Sequence, residues 1–208
     1  MQTIMIEDEF LTIEQGQTAE IKIKGSRFIG TAQPVVTEQE AAEFITQISK
    51  KFHDATHNCD AFQIGCHSSM IARYNDAGEP AGTAGMPILT VIKGKELTNT
   101  AVVVTRYFGG TKLGKGGLVR AYSDCTRLVL EKCSIVKKYL YQNLSLAFDY
   151  NLTGNVMRVI SQVNGTVIQS SYDTLAKIDV AVRLSQVDKF KTNLVDVTSG
   201  KISIIHDD

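Results

Sequence analysis

The segment Thr100 to Tyr107 contains Ala-Val-Val-Val-Thr, a nearly continuous apolar run. Alternate residues of a strand point to opposite sides, so such a run suits a strand covered on both faces. It is the central-strand candidate, and any fold for this chain must pack apolar elements on each side of it.

Other periodicities surround it. Thr18 to Lys24 alternates like a half-buried strand, Gly25-Ser26 makes a turn, and Arg27 to Gln33 reads as the hairpin partner, ended by Pro34. Thr37 can cap a helix with Glu40 three residues on, and Ala41, Phe44, Ile45 and Ile48 recur at helical spacing to about Phe52. Cys59 to Cys66 reads as a short strand. Tyr74 to Met86 is rich in Gly, Asn, Asp and Pro without periodicity, so it reads as a loop, with Pro87 beginning a short helix. Leu118, Ala121, Tyr122, Cys125, Leu128, Val129 and Cys133 make a long amphipathic helix.

From about Leu140 the pattern restarts. A strand at Leu144, Leu146 and Phe148 precedes a helix near Thr153 to Val163, ended by Asn164-Gly165. Strands near Thr166 to Tyr172 and at Ile178 to Leu184, a helix with Val187, Phe190 and Leu194, and a strand at Ile202 to Ile205 follow. This βαββαβ order fits a ferredoxin-like domain. The expectation is an α+β protein with domains at 1–138 and 139–208.

Net charge is zero over 208 residues, yet its distribution is uneven. Residues 1–60 hold five Lys/Arg against ten Asp/Glu, and residues 97–138 hold eight against two. A neutral chain can thus present a basic face. Cys59, Cys66, Cys125 and Cys133 form no CxxC pair, which suggests reduced, buried thiols. No apolar run approaches the roughly 18 residues of a membrane span. Met1 to Phe10 carries Glu7, Asp8 and Glu9 rather than a basic start and apolar stretch, so a cytoplasmic location is expected.

Arg106 to Arg120, Arg-Tyr-Phe-Gly-Gly-Thr-Lys-Leu-Gly-Lys-Gly-Gly-Leu-Val-Arg, lies between the central strand and the long helix. Gly109, Gly110, Gly114, Gly116 and Gly117 let backbone N–H groups turn toward a ligand, and the helix N-terminus adds partial positive charge. Arg106, Lys112, Lys115 and Arg120 add full charges, with no acid between Glu96 and Asp124. Tyr107 and Phe108 are core residues or, if exposed, stacking faces for bases. The nucleotide P-loop is matched within one residue, but Gly116 replaces the hydroxyl residue that would hold Mg²⁺.

A second glycine-rich segment, Asp76 to Gly85, offers Asp76, Glu79 and Thr83. These acids are conceivable catalytic groups, against the plainer reading that they satisfy turn donors or pair with the arginines of the other loop. His53-Asp-Ala-Thr-His57 has the spacing of a zinc helix, with Cys59, Cys66 and His67 nearby, but aspartate is too short for the base and the helix ends before it. His57 reads instead as a structural hydrogen-bonding residue at a strand entry. No catalytic triad can be assembled, and no metal or cofactor is expected.

The blocks Lys24-Gly-Ser-Arg-Phe-Ile29, Ala55-Thr-His-Asn58, Gly78-Glu-Pro-Ala-Gly-Thr-Ala-Gly85 and Val102 to Leu118 resemble the YigZ/IMPACT family, the last most specifically. Ala77 and Ala81 depart from the family's polar residues, and Ala81 argues against a nucleophilic serine there. The resemblance implies a ribosomal-protein-like N-terminal α/β domain similar to domain IV of the translocation factor EF-G, and a C-terminal domain similar to its domain V. It also implies a general link to translation.

Three functions follow. A non-enzymatic protein could bind RNA or a ribosomal surface through Arg106, Lys112, Lys115 and Arg120. An enzyme could hold a small phosphorylated or acidic substrate in the same loop, with Asp76, Glu79 or His57 as acid or base. A protein-partner adaptor would expose an apolar patch. One pocket shared by both glycine loops favours the enzyme, and an open basic surface favours the binder.

Overall fold

The computed structural model describes residues 8–66 and 69–206. The chain is a mixed α/β protein in two compact units, one of residues 10–138 and one of residues 139–206 with Asp8 and Glu9. Strand β1 (Glu9–Ile13) leads to a hairpin of β2 (Gln17–Ile23) and β3 (Ser26–Pro34). Helix α1 (Glu38–Lys51), β4 (His57–Ile64), β5 (Ile71–Asn75), α2 (Gly85–Gly94), β6 (Thr100–Tyr107), α3 (Gly114–Glu131) and β7 (Ile135–Tyr139) follow. Five strands pair in the order β2-β3-β6-β4-β5, every neighbouring pair antiparallel.

The apolar run in β6 is divided between two cores. Val102 and Val104 pack with Ile88, Ile92, Ala121 and Val129 of α2 and α3, while Ala101 and Val103 pack with Phe44 and Ile48 of α1. The run Ala101–Val104 is apolar at every position because each side-chain direction meets a helix, although the sheet is antiparallel. Helix α1 begins as its sequence predicts: Thr37 Oγ1 accepts from Glu40 N at 3.1 Å, and Glu40 Oε2 accepts from Val36 N at 2.8 Å.

Three strands depart from the sequence expectation. All five residues of β5 are exposed, so it carries no alternation to read, and β1 and β7 pair with each other as a separate two-stranded sheet. Helix α2 starts two residues before Pro87, and the segment read as one long loop shrinks to residues 76–84.

Asp60 in β4 is 6% exposed, on the same side as Phe62 and Ile64, and forms no ion pair among the described residues. Burial pushes its carboxyl up to about 6. The unfolded carboxyl titrates near 4, so the native state keeps its proton to higher pH than the unfolded state does. This contribution to stability is fully present below about pH 4 and is lost as pH rises through about 6. Asp60→Asn is expected to be near neutral at about pH 4 and stabilising by about 3 kcal/mol at about pH 8. Urea unfolding at both pH values measures this; an equal difference at both would assign the effect to packing rather than ionisation.

The second unit contains β8 (Tyr141–Phe148), α4 (Thr153–Gln162), β9 (Thr166–Tyr172), β10 (Ala176–Arg183), α5 (Val187–Thr198) and β11 (Ile202–His206). Its antiparallel sheet runs β11-β8-β10-β9. Leu144, Leu146, Phe148, Ile178, Val180 and Val182 share one face and pack on Val156 and Ile160 of α4 and Phe190 and Leu194 of α5. Asp8 joins this unit through Arg183, whose Nε and Nη2 donate to its carboxylate at 2.7–2.9 Å, and through Ser185 N at 2.8 Å. The Arg183 guanidinium holds the Asp8 carboxyl well below the usual range. Among the described residues no helix is long and apolar enough to cross a membrane.

Candidate functional site

Strand register assembles the site. Arg106, near the end of β6, lies opposite Phe28 on β3 and His57 on β4. Strand alternation puts Arg106 on the face of Val102 and Val104, under the helices, where it is 5% exposed. A buried guanidinium needs a partner. Glu79, in the segment joining β5 to α2, supplies it: Arg106 Nη1 donates to Glu79 Oε1 at 2.6 Å, and the Tyr122 hydroxyl of α3 donates to the same oxygen at 2.8 Å. Arg106 Nη2 reaches Ser26 Oγ at 3.4 Å, and the guanidinium lies 5.4 Å and 5.5 Å from the Phe28 and Phe108 ring centroids. Its Nε–H has no acceptor among the described residues.

The other acid is committed to backbone. Asp76 accepts from the N–H groups of Gly82, Ala84 and Gly85 at 2.8–2.9 Å and so closes the start of α2. Burial pushes its carboxyl up, but these three donors outweigh burial and hold it below the ordinary value. Thr83, 2% exposed, donates to Pro80 O at 2.6 Å. His57 Nδ1 lies 2.8 Å from Ala77 O. A carbonyl can only accept, so Nδ1 carries the proton, and in the neutral ring Nε2 is left as an acceptor, 4.0 Å from Glu79 Oε2.

Beyond β6 the chain turns through Gly109 and Gly110 into α3. Gly109 packs backbone to backbone on the β2–β3 turn: a Cβ there would lie 1.8 Å from Gly25 C. Helix α3 opens with no side-chain cap and no acid in its first turn, so its first N–H groups face outward with the positive end of the helix dipole. Lys112, Lys115 and Arg120 are exposed there, and neither lysine forms an ion pair among the described residues. Gly116 has nothing within 4 Å of the position a Cβ would take, and its φ is not left-handed.

Both glycine-rich segments border one cleft of about 350 Å³. Pro80, Leu113 and Leu118 form apolar parts of its wall, and Thr56, His57, Arg106, Lys112 and Lys115 its polar parts. Phe108, 47% exposed, lies at the rim, its N–H held by Thr56 Oγ1 at 3.0 Å. Tyr107 is used elsewhere, donating to Asp54 at 2.7 Å with Arg27 5.6 Å from its ring. That hydrogen bond holds the Asp54 carboxyl below its usual range.

Arg106 is placed differently from the exposed cation that its sequence neighbours suggest, because Glu79 neutralises it inside the protein. Lys112, Lys115 and Arg120 remain at the surface. His53 lies beyond the end of α1 and His57 opens β4, so the two do not share a helix face; His67 lies outside the described residues. Burial pushes the Cys59 and Cys125 thiols up to about 12, which makes neither a nucleophile at neutral pH. Sequence reasoning missed Ser26 and Thr56, and it read Tyr122 as core alone. Two-residue alternation from Val102 and Val104 was the available signal that Arg106 turns inward.

Two family models match the chain: the Impact N-terminal domain over residues 24–130, and a domain of unknown function, DUF1949, over residues 146–201. IMPACT family member YvyE of Bacillus subtilis is 37% identical over 94% of this chain and 89% of its own length. IMPACT family member YigZ of Escherichia coli is 31% identical over 88% and 91%. A crystal structure described as that of a hypothetical protein superposes with a TM-score of 0.72 at 29% identity, covering 97% of this chain and 98% of that one.

Proposed function

The chain belongs to the IMPACT family, and from that premise we propose that it is a non-enzymatic, translation-linked cytoplasmic regulator that binds RNA phosphates, free or on a ribosomal surface. The observation that carries this reading is the head of α3, where Lys112 and Lys115 stand exposed and unpaired among the described residues beside an uncapped helix N-terminus. Arg120 extends the charge one turn on; its Nε donates to Gly116 O at 3.3 Å and leaves the rest of the guanidinium exposed. Arg106 serves as a positioning residue, tying the two glycine loops together through Glu79.

In this reading the first unit is similar to domain IV of EF-G and the second is ferredoxin-like. The second assignment is supported by its β11-β8-β10-β9 order with both helices packed on one face.

Lys112→Glu/Lys115→Glu is expected to abolish co-sedimentation with ribosomes at low salt and to flatten the salt dependence of RNA binding. Each lost phosphate contact removes about 0.7 from the slope of log K against log salt for a single strand. Equal pelleting of wild type and variant across the salt series would overturn the reading.

An enzyme acting on a small phosphorylated or acidic substrate is a second reading, supported by the single cleft that both glycine loops border. It requires a turnover that His57→Ala abolishes while ligand binding survives, because Nε2 is the acceptor available to take a proton.

A further inference from the structure

We propose that the cleft between the two glycine-rich loops binds a nucleotide by a terminal phosphate monoester, either on a free mononucleotide or at the phosphorylated end of an RNA chain. The proposal deepens the assignment of the α3 head as a phosphate site and rests on it.

Charge selects the monoester. Arg106 and Glu79 cancel within the wall, which leaves Lys112 and Lys115 as the two uncompensated charges of the cleft. A phosphate monoester carries about −1.5 to −2 at neutral pH, whereas an internal phosphodiester carries one negative charge. Two lysines and the first N–H groups of α3 match the monoester.

The backbone at the head of α3 is open for close approach. Gly114 lines the cleft, and nothing lies within 4 Å of the position a Cβ would take there. Arg106 is a second, independent sign of a ligand. It is 95% buried, lines the cleft, and has an Nε–H with no acceptor among the described residues, the kind of orphan that a missing ligand or water explains.

The remainder of the cleft fits a ring. Phe108 offers a half-exposed aromatic face, and Pro80, Leu113 and Leu118 make an apolar wall in about 350 Å³, within the size range of small-ligand sites. A planar base has the face to stack on Phe108. His57 Nε2 and the Thr56 hydroxyl are the polar groups left to meet its edge or its sugar.

The test uses adenosine 5′-monophosphate, adenosine and inorganic phosphate as separate probes in calorimetric titration and thermal unfolding. Beside them, one RNA decamer is titrated with a 5′-phosphate, with a 3′-phosphate and with neither. Wild type is compared with Lys112→Ala/Lys115→Ala and Phe108→Ala, substitutions at exposed positions that leave the core intact.

If free nucleotides are the source, adenosine monophosphate binds at least tenfold more tightly than adenosine or phosphate. Phe108→Ala then removes about tenfold of its affinity, and the double lysine variant removes binding. If the RNA end is the source, one phosphorylated decamer binds at least tenfold more tightly than the unphosphorylated one, and the lysine variant erases the difference. Equal binding of all three decamers with no response to adenosine monophosphate would overturn the proposal while leaving backbone binding at α3 intact. Nucleotide binding without any RNA binding would instead remove the RNA reading and keep the cleft. Binding that the lysine variant leaves unchanged would also overturn the proposal.

Discussion

Gly109→Ala is expected to destabilise the first unit by about 3 kcal/mol or more, while Gly116→Ala, seven residues on, leaves it as stable as wild type or more stable. A Cβ on Gly109 would meet Gly25 C at 1.8 Å, Gly25 O at 2.0 Å and Ser26 N at 2.2 Å. All three are backbone atoms of the β2–β3 turn, so no side chain can move aside; the turn or the end of β6 must shift. That movement would also break the bonds from Gly109 N and Arg106 to Ser26 Oγ. Gly116 is the opposite case, with open space around it in a helical turn, where alanine gains about 0.5–1 kcal/mol. Urea midpoints for the two variants measure this contrast. A mild Gly109→Ala would mean that the turn yields easily and that the glycine is present for a ligand.

Glu79→Ala is expected to cost about 3–5 kcal/mol, because it leaves the Arg106 charge buried without its partner. Arg106 is 5% exposed and Glu79 8%, and the Tyr122 hydroxyl shares the carboxylate. Replacing both members, Glu79→Leu with Arg106→Leu, is expected to recover at least about 2 kcal/mol relative to Glu79→Ala, since the penalty comes from an unpaired charge more than from a lost attraction. Tyr122→Phe, which keeps the ring edge-on to Phe28, is expected to cost about 1 kcal/mol. A cost for Glu79→Ala below about 1 kcal/mol would place the pair in effectively solvated surroundings, in the range of surface salt bridges.

These two predictions bear on function as well as stability. The Arg106–Glu79 pair holds together two loops that are separated in sequence, and Gly109 sets where the second of them leaves the sheet. Loss of ligand affinity in either variant would therefore report a displaced site. The lysines at the head of α3 test binding directly, because they carry no contact on which the core depends.

Short-range periodicity was legible in the chain. Apolar residues at every position of Ala101–Val104 required a strand covered on both sides, and Thr37 with Glu40 marked the start of α1. Most of the order from Tyr141 to His206 was readable because its elements have their own period and ending, while β9, exposed along its whole length, was placed by the Asn164-Gly165 break before it. The glycine-rich basic segment ahead of α3 was visible for the same local reason. Tertiary structure decided everything that depends on register and on distant partners. β5, β1 and β7 owe their existence to hydrogen bonds from neighbouring strands and carry little alternation of their own. Glu79 meets Arg106 across 27 positions of sequence, and Gly25 meets Gly109 across the sheet. Whether a cation is spent inside the protein or offered to a ligand is set by what packs over it. For Arg106 that is a carboxylate carried by another loop, while for Lys112 and Lys115 it is solvent.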